Sequence, residues 1–419
     1  KGRASLMREW LRLQGEAGVD LTAEPRTAAL PVRVANSLRK QRGQSDFSHQ
    51  VYNAMTKCLA CKSCAAQCPV KVNVPEFRSR FLAHYHTRYA RSPRDYLIGS
   101  LEFSVPYITA APGGSRLYNA LMRAAPVKAL LRGVAGIVDS PLLSTISWED
   151  VCRRWSLEPA SEAVLGGLSE AQRARTIVFV QDALTRFFET QVAAAFVELA
   201  VRLGYRVLLA PYVPNGKPLH VQGFLGAFAR VARRNATRLA ALAQFDVPLI
   251  GLDPAMTLVY RQEYRKVAQG ETCPRVLLPQ EWLIGALDGV LPERAPKRQR
   301  SYRMLPHCTE RTSEPAVVGL WRDVFARMGL SLSMPASGCC GMSGTYGHEL
   351  RNVETSKTIF EQSWARHVDD WVAPGGAGTT AEAERPELLA TGYSCRCQVA
   401  RLRGRRVRHP IEALLDFLR

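Results

Sequence analysis

The sequence predicts an α/β protein in which an all-helical domain precedes a duplicated, parallel-sheet α/β domain. Up to about residue 160, apolar residues recur at helical spacing and prolines interrupt the pattern. From Thr176 onward, short apolar runs alternate with longer amphipathic stretches, as is typical of strands and helices that take turns along the chain. We therefore expect parallel strands joined by right-handed crossovers and covered by helices.

Four segments follow from these patterns. Residues 1–50 are polar and rich in arginine, which indicates a connector to a domain outside this chain. Residues 51–160 are expected to form the helical domain, residues 161–295 the first α/β copy and residues 296–419 the second. In the helical domain, prolines are expected to end helices at Pro93, Pro106, Pro112 and Pro126.

An internal match supports the duplication. The segment Leu203–Gly216 aligns without gaps with Met328–Gly341, and both run helix, glycine, strand, loop, glycine. Three pairs of loops then correspond: Ala183 with Cys308, Pro214–Gly216 with Cys339–Gly341, and Ala255 with Cys395. The first copy is therefore expected to have the scaffold of the second without its cysteines.

The cysteine content favours metal ligation over disulfides. Eleven cysteines are an odd number, and most lie in tight groups, which indicates a reducing compartment. No apolar stretch reaches the length of a bilayer crossing, and residues 1–10 lack the apolar core of a secretory signal. We expect a cytoplasmic location, with contact to the inner face of the membrane as an open alternative.

The net charge of +19 raises the question of nucleic acid. The excess is mostly arginine spread along the chain, and the dense run Arg401–Arg408 has no interleaved aromatic residues of the kind that stack on bases. We therefore predict no nucleic-acid partner. A solvated basic face, an acidic protein partner and an anionic membrane surface are the remaining interpretations.

Four cysteines, called here the first cysteine group, have the spacing of bacterial ferredoxins: Cys58, Cys61, Cys64 and Cys68, followed by Pro69. This run wraps a 4Fe-4S cluster so that successive thiolates reach different irons. Structural zinc is the alternative, but zinc more often takes two cysteine pairs separated by a dozen or more residues. Cys68 either closes this cluster or serves another site, in which case Cys273, also followed by proline, is the remote substitute.

A second cysteine group comes from three loops, each of which follows a predicted strand: Cys308, Cys339, Cys340 and Cys395. Such loops converge at the carboxyl ends of parallel strands, where α/β proteins bind ligands. The pattern predicts four thiolates in one crevice and hence a second metal site. Buried structural thiols are the alternative.

The second group resembles the cysteine-rich CCG domain found in heterodisulfide reductase and in glycolate oxidase iron-sulfur subunits. The resemblance has one departure, because the closing Cys-x2-Cys reads Cys395-Arg396-Cys397 here. It therefore implies a four-cysteine iron-sulfur cluster rather than the five-thiolate cluster of the reductase, with zinc or no metal as alternatives.

A wider resemblance covers most of the chain. The segments CLACKSCAAQCPVKVNVPEFRSRFLAHY, PNGKPLHVQGF, GCCGMSGTYGHE and TGYSCRCQ resemble the C-terminal half of the large bacterial FAD and iron-sulfur D-2-hydroxyglutarate dehydrogenases. The resemblance implies an oxidoreductase whose FAD lies on an upstream domain and oxidises D-2-hydroxyglutarate or a related 2-hydroxy acid. Electrons would leave through this half to an external acceptor, either a quinone or a carrier protein.

The same resemblance implies that no catalytic residue lies in this chain and that the full-length enzyme is a homo-oligomer. The alternative is a stand-alone iron-sulfur subunit of the heterodisulfide-reductase or glycolate-oxidase kind.

Overall fold

A computed structural model describes residues 2–20, 27–43, 46–70, 72–267, 273–288, 301–372 and 385–419. The expected boundary between the two α/β copies, at residues 295 and 296, lies outside these ranges. Within them, none of the helices combines the length and the apolar character that a membrane crossing needs.

The helical part contains, in chain order, α1 Gly2–Glu16, α2 Leu30–Gln41, α3 Phe47–Thr56, α4 Ser63–Gln67, α5 Val74–Arg88, α6 Pro93–Ala110, α7 Gly114–Arg123, α8 Ala125–Leu130 and α9 Trp148–Arg154. A π-helical turn, Leu131–Ala135, extends α8.

The α/β part contains strands β1 Glu158–Pro159, β2 Thr176–Phe179, β3 Arg206–Leu209, β4 Leu249–Ile250, β5 Ser301–Leu305, β6 Ser331–Ser333 and β7 Glu387–Ala390. Its helices are α10 Glu162–Gly166, α11 Glu170–Ala174, α12 Thr190–Arg202, α13 Lys217–Val221, α14 Leu225–Ala243, α15 Pro254–Gln262, α16 Tyr264–Val267, α17 Pro279–Ala286, α18 Cys308–Ser313, α19 Pro315–Arg327, α20 Val353–Ser363, α21 Ala365–Val372, α22 Tyr393–Arg403 and α23 Pro410–Leu418.

The first helix belongs to the core of the helical domain. Met7 and Trp10 of α1 are buried against α3 and α5, and the Trp10 indole donates a hydrogen bond of 3.1 Å to Ser48 Oγ. Burial of these two large side chains holds α1 against α3 and α5. The beginning of the chain is therefore packed structure as well as a candidate connector, and its link to another domain stays a prediction.

Pro106 does not end a helix. It lies inside α6, whereas Pro93 and Pro126 begin helices and Pro112 follows the end of α6. A proline inside a helix leaves the carbonyl four residues earlier without its usual donor. Here the hydroxyl of Tyr212, from the first α/β copy, donates to Glu102 O at 2.9 Å. The break predicted at Pro106 was wrong because a distant side chain replaces the missing hydrogen bond.

The expected α/β architecture is present as two small parallel sheets. The first has strand order β1-β3-β2-β4 and the second has β6-β5-β7, so the arrangement β3-β2-β4 is repeated. In the first sheet Thr176 is opposite Arg206, and in the second Ser301 is opposite Ser331, with both partners displaced by the same number of residues. The two copies therefore share strand order and register.

The repeat extends beyond the strands. Ile250 and Leu389 each form a parallel bridge to one further residue, Leu277 in the first copy and Arg408 in the second. Each bridge leads into a helix, α17 or α23, that begins with proline. In each helix a glutamate, Glu281 or Glu412, accepts a hydrogen bond of 2.8 Å from the capping residue's backbone N–H. Local capping chemistry was duplicated with the sheet.

One detail of the predicted correspondence is wrong. Sheet register pairs Val178 with Leu249 and its counterpart Arg303 with Leu388. Leu388, rather than Leu389, therefore corresponds to Leu249, and Met256, rather than Ala255, stands opposite Cys395. Short apolar runs look alike when shifted by one residue, so side-chain type alone does not fix register here.

The two copies share one hydrophobic core. Helix α12 of the first copy packs on α23 of the second, and the equivalent α19 packs on α17, so the contact is reciprocal. Phe196, Trp282, Trp321 and Leu414 are buried in this shared core. Because each copy covers the other, the second sheet is packed against the helices of the first copy.

We expect Tyr212→Phe to destabilise the protein by about 1–3 kcal/mol, because it leaves the buried Glu102 carbonyl without a donor. Tyr107→Phe is the matched control, since Tyr107 lies on the same helix as Glu102 and is 82% exposed. Urea unfolding followed by circular dichroism measures both variants. Equal midpoints for the two would refute the role given to the Tyr212 hydroxyl.

Candidate metal centres

The first cysteine group lines a single cavity. Cys58, Cys61, Cys64 and Cys68 all face a space of about 960 Å³, together with Lys57 and residues of α1. The loop achieves this through two residues in the left-handed region, Ala60 at φ 54° and Lys62 at φ 60°, which flank Cys61. A non-glycine residue in that conformation costs free energy, and residues strained in this way cluster at functional sites. The backbone is therefore bent around the position of the sulfurs.

Two contacts anchor this loop to the α/β part. Lys62 Nζ lies 2.6 Å from Glu263 Oε1 and also contacts Gln262, and Ser343 Oγ donates to Leu59 O. Burial lowers the pKa of Lys62 to about 8. Burial of Glu263 opposes its charged form, but Lys217 and Lys62 together lower its pKa to about 2. The pair is thus a buried ion pair that fixes the cysteine loop.

Cys68 and Cys273, the two candidates for the fourth ligand, lie in different surroundings. Cys68 faces the same cavity as the other three cysteines of the first group. Cys273 packs against the core of the first α/β copy, near Tyr264. The geometry therefore favours Cys68 as the ligand of its own group.

The second cysteine group comes together at the carboxyl edge of its sheet. Cys308 follows β5, the Cys339-Cys340 pair follows β6, and Cys395 follows β7. Side-chain contacts link the four sulfurs in the order Cys308, Cys339, Cys340, Cys395. Loops separated by tens of residues are thus joined into one group of thiols.

These contacts shift the thiol pKa values in opposite directions. Hydrogen bonds from Cys308 and Cys340 hold the pKa of Cys339 well below its usual range. The same hydrogen bonds, with burial, raise the pKa of Cys308 and of Cys340. Within this group the thiolate form is therefore favoured most at Cys339, and thiolate is the form that ligates metals.

The two cysteine groups are neighbours. Helix α18, which begins at Cys308, packs on α4, which carries Cys64. The Cys61 thiol interacts electrostatically with Cys339 of the second group as well as with Cys58 and Cys64 of its own. The sulfur-lined region is therefore continuous between the helical domain and the second α/β copy. Among the side chains of the described ranges, no three His, Cys, Asp or Glu converge as a single bound ion requires.

Glycine is required at two points around the second group. Gly341 has φ +86°, and an added Cβ would lie 2.2 Å from Ser356 O. An added Cβ at Gly392 would lie 2.3 Å from the His307 ring. His307 accepts a hydrogen bond from Thr309 N at 3.3 Å and so caps α18 at the cysteine. These close approaches hold the three loops together.

Cys397 is directed away from this group. Residues two apart on a helix project to different sides, so Cys395 and Cys397 of α22 face different neighbours. Cys397 Sγ lies 3.9 Å from His348 Nε2, and His348 Nδ1 lies 2.6 Å from Asp139 Oδ1. Burial raises the pKa of Cys397 to about 12. It is therefore a protonated thiol in a polar cluster of its own.

In the first copy, a carboxylate takes the place of the sulfurs. Glu102 of α6 accepts hydrogen bonds from Asn215 N at 3.1 Å and Gly216 N at 2.7 Å, and this loop corresponds to Cys340-Gly341. Burial raises the pKa of Glu102 to about 7. Sequence reasoning missed this residue. A lone acid within the apolar run of α6 is the signal that could have identified it.

Taken together, the fold and the cysteines define a class of protein: a helical domain with a ferredoxin-type cysteine run joined to a duplicated α/β domain that carries a Cys-Cys-Gly loop. The whole chain aligns with D-2-hydroxyglutarate dehydrogenases of Pseudomonas putida, at 58% identity over 422 residues, and of Escherichia coli K12, at 42% over 429 residues. It spans 40% of the length of these relatives. The chain is similar to their C-terminal part, and those enzymes are oxidoreductases.

A weaker similarity connects the chain to a protein that is a separate subunit of its enzyme. This subunit of the anaerobic glycerol-3-phosphate dehydrogenase of Escherichia coli K12 is 25% identical over 362 residues, which cover 84% of this chain and 83% of that protein. No protein-family model matches the chain. A hypothetical protein from Helicobacter pylori aligns with 91% of this chain over 74% of its own length, at a TM-score of 0.36 and 11% sequence identity.

We expect Gly341→Ala to be more destabilising than Gly344→Ala. Both glycines have positive φ, but Gly344 has open space around its Cα. The left-handed conformation alone costs about 1–2 kcal/mol, and the clash with Ser356 adds about 1–3 kcal/mol at Gly341. Thermal unfolding of the two variants tests the difference. If they unfold at the same temperature, the Cys-Cys-Gly loop is not held as described.

Proposed function

We propose that this chain is the iron-sulfur electron-transfer module of a flavin-dependent dehydrogenase of 2-hydroxy acids, with D-2-hydroxyglutarate as the substrate. One observation carries the proposal: four cysteines with ferredoxin spacing line one cavity, and Cys61 of that group adjoins Cys339 of a second group. An array of thiols that crosses from one domain to another suits the passage of electrons and has no obvious structural purpose.

The residues of the first group fit a 4Fe-4S cluster. Cys58, Cys61, Cys64 and Cys68 supply four soft thiolate donors, and the cavity they face has room for more than one ion. Such a cluster, when bound, takes up and releases one electron at a time. The protein's part is to hold the loop, which the buried pair Lys62–Glu263 does from the α/β side.

For the second group we propose an iron-sulfur cluster rather than zinc. Zinc needs its four ligands at tetrahedral distance from one ion. The side chains of Cys308, Cys339, Cys340 and Cys395 follow one another in a row. All four are soft thiolate donors, which suit an iron-sulfur cluster, and their Cys-Cys-Gly loop resembles that of the CCG domains.

The proposed partner on the electron-donating side is an FAD-binding dehydrogenase domain. The named relatives are more than twice as long as this chain, which leaves room for such a domain. Gly2, Arg3 and Ala4, at the start of α1, line the cavity of the first cysteine group. A domain joined to that end would therefore lie beside the first group, where electrons from FAD would enter. Substrate binding and proton abstraction belong to that domain.

The proposed route of exit is an external acceptor at an anionic membrane surface. Helices α6 to α8 and the π-helical turn expose large apolar side chains at Tyr96, Leu97, Phe103, Tyr107, Leu117, Leu121, Leu130 and Val134. The same region has the exposed cations Arg116, Arg123, Lys128 and Arg132, and no acidic residue follows Glu102 before Asp139. Apolar and cationic side chains on short helices favour the interface of anionic lipids.

A second candidate function is a separate iron-sulfur subunit, of the heterodisulfide-reductase or glycolate-oxidase kind. The match with the glycerol-3-phosphate dehydrogenase subunit over most of both chains favours it. Turnover of a disulfide by this chain without any flavin partner would support this candidate over the relay. In either case a homo-oligomeric state stays a prediction.

We expect Cys61→Ala to lose the iron and sulfide of the first group, while Cys152→Ala, a partly buried thiol outside both groups, keeps them. Cys340→Ala should lose only the metal of the second group. Iron and sulfide analysis of anaerobically purified protein, with electron paramagnetic resonance of the reduced state, measures each outcome. Iron content that Cys61→Ala leaves unchanged would exclude the first site, and the same result for Cys340→Ala would exclude the second.

We also expect binding to vesicles of anionic phosphatidylglycerol and not to vesicles of neutral phosphatidylcholine. The double variant Arg116→Glu, Arg123→Glu should lose at least tenfold in affinity, because each cation near the surface contributes about 1 kcal/mol. Arg230→Glu, Arg234→Glu is the control, since these exposed arginines belong to α14 of the first α/β copy and not to α6 to α8. Co-sedimentation measures binding, and equal losses in both double variants would point to charge alone instead of this surface.

A further inference from the structure

Arg78 is a buried cation next to the first cysteine group. It lies on α5 with only 5% of its surface exposed. Its Nε donates to Met55 O at 3.0 Å, and its Nη1 donates to Val221 O at 2.6 Å. The backbone N–H of Cys58 donates to the same Met55 oxygen, also at 3.0 Å. One carbonyl oxygen therefore separates the guanidinium from the first cysteine of the group.

Within the described part of the chain, no carboxylate pairs with this guanidinium. The nearest acid in electrostatic terms, Glu349, is committed to Arg351 at 2.9 Å and Arg94 at 3.8 Å. The group that interacts most strongly with the Arg78 charge is Cys58. Burial of a charge is costly unless an opposite charge compensates it. Among the described residues, the cysteine group is better placed than Glu349 to supply that charge.

We propose that Arg78 is the buried counter-charge of the iron-sulfur cluster held by the first cysteine group and that it raises the reduction potential of that cluster. The inference rests on the proposed function, because it requires a cluster at that site. Each one-electron reduction adds one negative charge to the cluster. A positive charge fixed nearby therefore favours the reduced form.

Burial distinguishes Arg78 from the other cations of the site. Lys57 is exposed, so water and salt screen its charge. Lys62 is buried but its charge is paired with Glu263 at 2.6 Å. Arg78 is shielded from solvent and, among the described residues, has no carboxylate in an ion pair with it, so water and salt screen its charge less than that of Lys57. It is a positioning residue that acts through charge and does not itself touch the irons.

The test compares Arg78→Gln with Arg78→Lys in the full, iron-loaded chain. Both substitutions shorten the side chain and lose the two-pronged hydrogen bonding, but only the glutamine removes the charge. Arg80→Gln is the control, because Arg80 lies on the same helix with 61% of its side chain exposed. The readout is the midpoint potential from a redox titration followed by electron paramagnetic resonance.

We expect Arg78→Gln to lower the ratio of reduced to oxidised cluster at least tenfold at a fixed potential, which corresponds to about 59 mV for a one-electron centre. Arg78→Lys should stay close to the unmodified protein, and Arg80→Gln should not shift. The difference between glutamine and lysine should persist at high salt, because a buried charge is little screened.

Equal shifts in the glutamine and lysine variants would overturn the inference, because they would assign the effect to hydrogen bonding. An unchanged potential in Arg78→Gln would also overturn it. If Arg78→Gln retains no iron, thermal unfolding of the iron-free proteins decides. The counter-charge is supported if Arg78→Lys retains iron and both iron-free variants are as stable as the iron-free unmodified protein. A structural role is assigned instead if both iron-free variants lose the same stability relative to the unmodified protein. Absence of iron from the unmodified chain would instead defeat the proposed function itself.

Discussion

Thiolates repel one another when they are brought together away from water, and the structure of this chain is organised around that constraint. Two groups of cysteines meet between the helical domain and the second α/β copy, with Cys61 and Cys339 in electrostatic contact. Such a concentration of sulfur is stable only if positive charge compensates it. At Cys308 and Cys340 the hydrogen bonds to neighbouring sulfurs, together with burial, raise the thiol pKa values and so favour the protonated form. Iron would supply the positive charge for the thiolates of both groups when clusters are bound.

The first α/β copy shows how the same loops are stabilised where no cysteines are present. Both copies place loops at the carboxyl edge of a parallel sheet with the same strand register. In the copy without cysteines, Glu102 accepts hydrogen bonds from two backbone N–H groups of such a loop, and burial raises the pKa of its carboxyl group to about 7. One scaffold thus supports either a row of thiols or a single carboxyl group from the neighbouring domain. The reciprocal packing of α12 on α23 and of α19 on α17 keeps the two copies in a fixed relation.

The sequence was informative where chemistry depends on residues close together in the chain. The spacing of Cys58 to Cys68 and the loops after each predicted strand were enough to locate both cysteine groups, and the alternation after Thr176 predicted the parallel sheets. The sequence patterns did not predict interactions between residues that are far apart in the chain. The hydroxyl that lets Pro106 remain inside α6 comes from Tyr212, and the carbonyl oxygens that hold Arg78 come from two separate elements. The shift of one residue at Met256 could be read only from strand pairing.

Every other assignment depends on a four-iron cluster held by the first cysteine group. Mössbauer spectroscopy of the anaerobically purified chain, produced with isotopically enriched iron, distinguishes such a cluster from other forms of iron. We expect the spectrum of iron in a cuboidal cluster with all-sulfur coordination, and its loss in Cys61→Ala. A spectrum of isolated iron ions alone, or protein without iron, would exclude the cluster.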